Sequence, residues 1–367
     1  MRETAVNVLV APLDWGLGHA TRCIPVIDSL VRRGCKVLIA GSGFSGELLH
    51  KRFPNLVFEP LPSYNITYPR KGSMALHLLK QTPGILRTIR AEHIALEHII
   101  AKHQISHVIS DNRYGLHSSS AKCIYMTHQI HVSSGGNQKW IDHLLFLLQR
   151  RFIEKFDRVW IVDEPELGKG KWAGKLSSPE GLRIPYHHVG LLSRFNNNEF
   201  TTISNEEPFQ RIALLSGPEP QRSLLEKKML QHFDGLPGKS LLVRGVAGEE
   251  RKVHQDTTII NSITDLNLRE VLSSNPIVYC RPGYSTLMDL QYLQHARAVL
   301  IPTPGQTEQA YLADRFSQMY GFTCIGQSLT LPAEDAITSA QTPKMDYRNL
   351  LEESLDDLLV ENSQRAF

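Results

Sequence analysis

Apolar positions in this chain fall into short runs separated by helix-like stretches and by loops rich in glycine or proline. Val6-Asn7-Val8-Leu9-Val10-Ala11 opens the pattern and runs into a loop from Pro12 to His19. A helix-like segment follows from Cys23 to Arg33, stopped by Gly34. Lys36 to Ala40 is a second apolar run, closed by Gly41-Ser42-Gly43. Strand, loop, helix, strand in this order is a βαβ unit, and two strands joined by a helical crossover must pair in parallel. The same style continues. Val57-Phe58-Glu59, His107 to Ser110, Ala121 to Met126 and Arg158 to Val162 predict strands. Ala75 to His103 predicts a helix interrupted at Pro83-Gly84.

Near residues 191–207 the pattern lapses. Asn196-Asn197-Asn198 and Ser204-Asn205-Glu206-Glu207-Pro208 read as a linker. Beyond it the alternation restarts, with strands at Ile212 to Leu215, Ser240 to Arg244, Ile277 to Tyr279 and Ala298 to Ile301, and a helix at Arg222 to Phe233. The fold class is therefore α/β, with two doubly wound, Rossmann-like parallel-sheet domains facing across a cleft. The expected divisions are 1–192, a linker at 193–207, a second domain at 208–345, and a helical tail at 346–367 that packs back on the first domain. Ligands of such sheets bind beyond the carboxyl ends of the strands, so the loops there deserve the closest reading.

Composition narrows the classes. A length of 367 residues fits two domains, and 41% hydrophobic residues suffice for a core in each. A formal charge of +3 argues against a dedicated nucleic-acid binder. Five cysteines, an odd number without CxxC spacing, favour reduced thiols in a cytoplasmic compartment. His93, His98 and His103 recur every five residues, which scatters them around a helix, and no HExxH occurs, so no metal site is expected. The first apolar run is too short for a signal h-region, and no run of about 18 apolar residues exists to span a bilayer.

Four loops carry candidate chemistry. The first is Asp14-Trp15-Gly16-Leu17-Gly18-His19-Ala20-Thr21-Arg22. Gly16 and Gly18 suit a tight turn or close approach to a ligand. Thr21 stands where a dinucleotide fingerprint needs its third glycine, and no acid ends the second strand, so NAD is not expected. His19 at the mouth of the first helix reads either as a general base, kept neutral by the helix N-terminus, or as a helix cap. The second loop, Ser216 to Arg222, places Gly217 before a helix start and offers Arg222 to a diphosphate, or Arg222 is a surface cation. In the third, Cys280 to Leu290, Gly283 frees the backbone, and Ser285 and Thr286 offer hydroxyls and amides at a helix start. Asp289, one turn along, reads as a ribose-binding carboxylate or as ordinary N-terminal charge. In the fourth, Ile301 to Ala310, Glu308 and Gln309 suit vicinal sugar hydroxyls.

Taken together these loops resemble the MurG-like and UDP-glycosyltransferase-like branch of the GT-B glycosyltransferases, of the kind with a glycosyltransferase family 28 C-terminal domain. The resemblance spans most of the chain and is carried best by 208–330, while the first loop departs from the triple-glycine form of MurG. It implies that His19 matches the loop histidine of the acceptor domain, that Arg244 lies near the nucleobase, and that Gly217, Arg222, Gly283, Ser285, Thr286, Asp289, Glu308 and Gln309 face the donor. Some relatives place an aspartate where Asp111 stands, after a strand. Asp111 would then orient His19 and stabilise the imidazolium, the other reading being an Asx turn. The implied activity is inverting, metal-independent transfer of a hexose or N-acetylhexosamine from a UDP-sugar to an acceptor hydroxyl, on a lipid or a glycan, with no cofactor beyond the nucleotide sugar. A UDP-sugar epimerase and a non-catalytic nucleotide-sugar-binding protein are the alternatives. Trp140, Leu144, Leu148, Phe152 and Phe156 recur every four residues beside Arg150, Arg151 and Lys155. That stripe reads as core, or as a peripheral contact of 140–156 with the inner membrane face.

Overall fold

A computed structural model of the chain describes residues 6–64, 74–132, 139–196, 207–342 and 349–363. In the first part β1 (Asn7–Pro12), α1 (Leu17–Arg32), β2 (Lys36–Gly41), α2 (Gly43–Arg52), β3 (Val57–Pro60), α3 (Met74–His103), β4 (His107–Asp111), β5 (Lys122–Thr127), α4 (Lys139–Ile153) and β6 (Arg158–Ile161) alternate as a βα series. A small hairpin of β7 (Pro165–Glu166) and β8 (Lys169–Gly170) precedes β9 (Tyr186–His188). The strand order is β3-β2-β1-β4-β5-β6-β9, and every neighbour pairs in parallel.

The second series comprises β10 (Arg211–Leu214), α5 (Gln221–Phe233), β11 (Ser240–Val243), β12 (Arg251–His254), β13 (Thr257–Ile260), α6 (Asp265–Ser273), β14 (Ile277–Cys280), α7 (Tyr284–Tyr292), β15 (Ala298–Leu300), α8 (Thr307–Tyr320) and β16 (Thr323–Cys324). Its order is β12-β13-β11-β10-β14-β15-β16, parallel except for the β12–β13 pair at one edge. The chain divides into two compact units. One holds the elements through β9, apart from residues 74–77 of α3, and the C-terminal helix α9 (Leu350–Ser363); the other holds residues 67–77 and 193–345.

The central strands are continuous apolar runs because both faces are covered. Val8 to Ala11 are wholly buried, as are Val108 and Ile109. In the first unit Leu9, Leu38, Val108, Tyr125 and Val159 pack in one cluster with Leu96, Ile99 and Ile100 of α3 and with Phe146 and Ile153 of α4. In the second, Ala213, Leu242, Ile277 and Val299 pack with Leu225, Met229 and Phe233 of α5. Each such large apolar side chain contributes about 1.5–3 kcal/mol by leaving water. Helix α9 sits on the first unit, where Leu355 and Leu358 are fully buried and the Glu352 carboxylate accepts from Arg33 Nε (3.0 Å) and Nη2 (2.6 Å).

Several elements differ from the sequence reading. Helix α1 begins at Leu17, six residues before Cys23, so His19 lies inside its first turn. Helix α3 runs unbroken through Pro83. Pro83 and Gly84 are exposed, so water can serve the backbone carbonyl that proline leaves without its usual donor. Helix α2 and the β12–β13 hairpin were not foreseen. Of the expected linker, 197–206 lie outside the described residues; Ser193 and Phe195 are buried and group with the second unit.

Candidate active site

In the first sheet the strand order reverses between β1 and β4, and the register sets Pro12 opposite Asp111. The Leu13 N–H donates to the Asp111 carbonyl at 2.9 Å, which fastens the loop after β1 to the end of β4. Gly16 is the N-cap of α1 at φ 101°, a left-handed conformation that favours glycine. The sharp turn there brings the first helical turn, with Gly18 and His19, over the strand end. His19 Nδ1 lies 2.9 Å from Asp111 Oδ2. The sequence-predicted pair is thus assembled. The Asp111 side chain is fully buried and His19 is 15% exposed.

Two further side chains that the sequence reading did not single out complete the cluster. Arg22, one helical turn after His19 and only 2% exposed, directs Nε to both Asp111 oxygens at 2.9 Å and also pairs through Nη2 with Oδ1. Its Nη2 lies 2.8 Å from His19 Nδ1, and its Nη1 lies 2.6 Å from Nδ1 of buried His128, which follows β5. Burial disfavours the His19 imidazolium and Arg22 repels it. Asp111 acts in the opposite sense, and the balance leaves His19 below its ordinary pKa of 6.5. Burial would raise the Asp111 carboxyl, but Arg22 and His19 outweigh it and hold it below its usual value.

Around this cluster a second polar network braces the loops. Glu92 and Arg113, both wholly buried, pair at 2.7 Å. Arg113 also donates to Pro12 O (2.6 Å), Pro62 O (3.0 Å) and Ser42 Oγ (2.7 Å), and Ser42 Oγ donates to Asp14 Oδ2 (2.9 Å).

In the second sheet the reversal falls between β10 and β14, with Leu214 opposite Cys280. The loops holding Gly217 and Gly283 therefore leave neighbouring strand ends. Gly217 has φ 96°, while Gly283 has an ordinary φ of −71° and open space where a side chain would stand. The N-caps of α5, α7 and α8 are Pro220, Gly283 and Gln306, and none caps through its side chain. Ser285 and Thr286 are half-buried on the first turn of α7, and Glu308 sits likewise on α8. Gln309 Oε1 accepts from the Thr303 N–H at 2.8 Å, so it braces the turn before α8.

Three donor-side residues have unexpected partners. Arg222 pairs with Glu219 and, at 2.9 Å, with Glu226; Arg244 pairs with the same Glu226 at 2.8 Å and with Glu250 at 2.9 Å. Arg222, Glu226, Arg244 and Glu250 line a cavity of about 640 Å³ together with Asp234 and Asn261. Both guanidinium charges are answered by carboxylates, with which a diphosphate at Arg222 would have to compete. The Asp289 carboxylate is 5% exposed and accepts from Ser193 Oγ (2.7 Å) and Arg194 Nε (2.8 Å). It anchors the start of the second unit, and a ribose would have to compete with those donors. Arg281, after β14, has no carboxylate partner among the described residues. It is buried and donates to Ile301 O (2.9 Å), Gln221 O (3.0 Å) and Gln327 Oε1 (2.6 Å), all neutral oxygens. Its Nε has no partner among the described residues, and burial pushes its pKa down to about 10.

Solved glycosyltransferases share this fold. SnogD from Streptomyces nogalater matches with a TM-score of 0.58 and 12% identity, over 96% of this chain and 94% of its own. The spinosyn rhamnosyltransferase SpnG matches at 0.57 and 15%, over 96% and 92%. The glycotransferase of kitacinnamycin matches at 0.59 and 12%, over 90% and 88%. The chain has the two-domain GT-B fold. No protein-family model matches the sequence, and no curated protein matches it either.

Within the GT-B fold the two strand-end sites differ in character. The first offers an imidazole backed by a carboxylate. The second offers the start of α7, whose N-cap Gly283 has no side chain, two residues after a buried arginine, an arrangement that favours an anion. No group of three or more His, Cys, Asp or Glu suited to a metal ion occurs among the described residues, and none of the described helices is long and apolar enough to cross a membrane.

Proposed function

We propose that the protein is an inverting glycosyltransferase that moves a hexose or N-acetylhexosamine from a UDP-sugar to an acceptor hydroxyl. The observation that carries this reading is the contact of His19 with Asp111 at the switch point of the first sheet. The carboxylate holds the Nδ1–H tautomer and leaves Nε2 with the lone pair that accepts the hydroxyl proton. The acceptor oxygen attacks the anomeric carbon, the bond to the diphosphate breaks, and the configuration inverts. The departing UDP takes the bonding electron pair. Its charge is met by the backbone amides from Gly283 to Thr286 at the start of α7 and by the field of Arg281, so the reaction requires no metal. Arg222 and Arg244, tied to Glu226, frame the cavity beside α5 instead of gripping the phosphates.

Ligand-dependent melting tests the donor. UDP and at least one UDP-sugar are expected to raise the melting temperature while NAD does not, since saturation at 100 times Kd adds about 2.7 kcal/mol. Free UDP with a glycosylated acceptor is the expected product. An isomeric nucleotide sugar would make the protein an epimerase, and silence toward every nucleotide sugar would remove the donor assignment.

The acceptor class is read from α4. Trp140, Leu144 and Leu148 are 68%, 49% and 48% exposed, whereas Phe146 and Ile153 face the core. An exposed apolar stripe ending at exposed Arg151 fits the surface of an anionic bilayer, and so a lipid-linked acceptor. The chain is expected to sediment with vesicles containing phosphatidylglycerol and to lose most of that binding on Leu144→Glu/Leu148→Glu, with melting unchanged. Equal sedimentation of both proteins would exclude this face.

A further inference from the structure

The His19–Asp111 pair does not stand alone, because Arg22 reaches all of its partners from one point on α1. A guanidinium has donors only, so His128 Nδ1 at 2.6 Å accepts from Arg22 Nη1. At His19 Nδ1 a donor, Arg22 Nη2, and an acceptor, Asp111 Oδ2, compete at 2.8 and 2.9 Å. The carboxylate cannot supply a proton, whereas Nη2 has Asp111 Oδ1 as another acceptor. The consistent network therefore has His19 donating from Nδ1 to Asp111 and Arg22 donating to Asp111 and His128.

We propose that Arg22 is a positioning residue that fixes Asp111 and His128 around His19 and cancels the carboxylate's charge, so that the imidazole rests neutral with Nε2 open. The inference rests on His19 being the base of the proposed transfer, and it assigns no contact of Arg22 with substrate. The charge count carries it. With Arg22 cationic and Asp111 anionic, the charges of this buried pair cancel at rest. Without Arg22 the cluster holds one uncompensated carboxylate, and proton uptake by His19 becomes the simplest way to neutralise it. Among the described residues, the titratable groups that act on His19 are Arg22 on its own helix, Asp111 at the end of β4 and His128 after β5. The thiol of buried Cys23 also adjoins Asp111, and burial together with that carboxylate pushes it well up, so it stays protonated.

The test follows the His19 imidazole by nitrogen-15 NMR titration of the full chain, with the wild type beside Arg22→Gln and Arg22→Lys. Arg22→Gln retains amide donors without the charge, and its His19 midpoint is expected to rise by at least about one pH unit. Arg22→Lys retains the charge and is expected to leave the midpoint near that of the wild type, while its poorer geometry lowers kcat. The acid limb of kcat/KM, expected below pH 6.5 in the wild type, moves up with the midpoint in Arg22→Gln, and activity returns at alkaline pH. An unmoved midpoint in folded Arg22→Gln overturns the proposal, whatever the chain catalyses. Should Arg22→Gln not fold, a lowered kcat with an unmoved acid limb in Arg22→Lys supports it, and a moved limb there overturns it. A midpoint that moves while the rate limb stays put upholds the charge role of Arg22 and removes the base role of His19.

Discussion

His19→Ala is expected to lower kcat by about 10²–10⁴-fold while affinity for the nucleotide sugar is kept. General-base assistance exists only as the proton leaves the acceptor, so kcat and kcat/KM should fall together. Binding of the donor should persist because the proposed diphosphate site belongs to the second unit, at Gly283 to Thr286 and Arg281. The fold should persist as well. Arg22 and Asp111 still neutralise one another once the imidazole is gone, and His19 has no part in the strand cores. Asp111→Asn is the less clean experiment, since it also strips Arg22 of its counter-charge inside the protein. Steady-state rates and calorimetric donor binding on His19→Ala decide the matter. Turnover within about threefold of wild type would refer the role of base to another group.

The parallel sheets were legible because their strands are doubly covered. Val8 to Ala11 and Ile277 to Tyr279 are unbroken apolar runs for that reason, and glycine or proline closes many of them. What lacked this signature was missed. Strand β12 reads Arg-Lys-Val-His and is exposed throughout, an edge strand held by pairing with β13 alone. Proline misled in the opposite direction at Pro83, where exposure lets water make good the missing bond.

The site was legible as far as loops at strand ends could be matched with chemistry. His19 and Asp111 lie 92 positions apart, and each could be placed at the carboxyl end of a strand. Neighbouring places in the sheet do the rest. Arg22 was out of reach because its importance depends on the ends of β4 and β5 converging on one face of α1, a non-local fact. The donor loops show the converse. Arg222 has Glu226 four positions on along its helix, a pairing that the spacing already offers, but only the fold brings Arg244 to the same carboxylate. Asp289 looks like an exposed acid one turn into a helix, yet its partners come from Ser193 and Arg194. Arg281 reads as one polar residue in a loop until the absence of a nearby carboxylate among its partners becomes visible.

Glu92→Ala should be the most destabilising single change among the polar residues around the first site. Glu92 and Arg113 are both without solvent exposure, so removal of the carboxylate leaves a cation in a medium that solvates it poorly. Breaking a buried pair in this way costs about 3–5 kcal/mol, and at 2–4 °C per kcal/mol for a domain of this size the melting temperature falls by roughly 6–20 °C. Two donors lose their acceptor at the same time, the Tyr64 hydroxyl (2.6 Å) and the Gly115 N–H (3.1 Å). The effect should reach the active site. Arg113 joins Pro12 O to Pro62 O and Ser42 Oγ, and Pro12 precedes the Leu13 amide that binds the Asp111 carbonyl. Loosening Arg113 therefore loosens the loop that aims His19. The double variant Glu92→Leu/Arg113→Met removes both charges and keeps the volume. It should regain a large part of the lost stability, because two apolar groups need no compensation there. Denaturant unfolding of the wild type, the single and the double variant measures all three. A single variant weaker by under about 1 kcal/mol, or a double no more stable than the single, would mean that water reaches Arg113 and that the pair does not brace the loop.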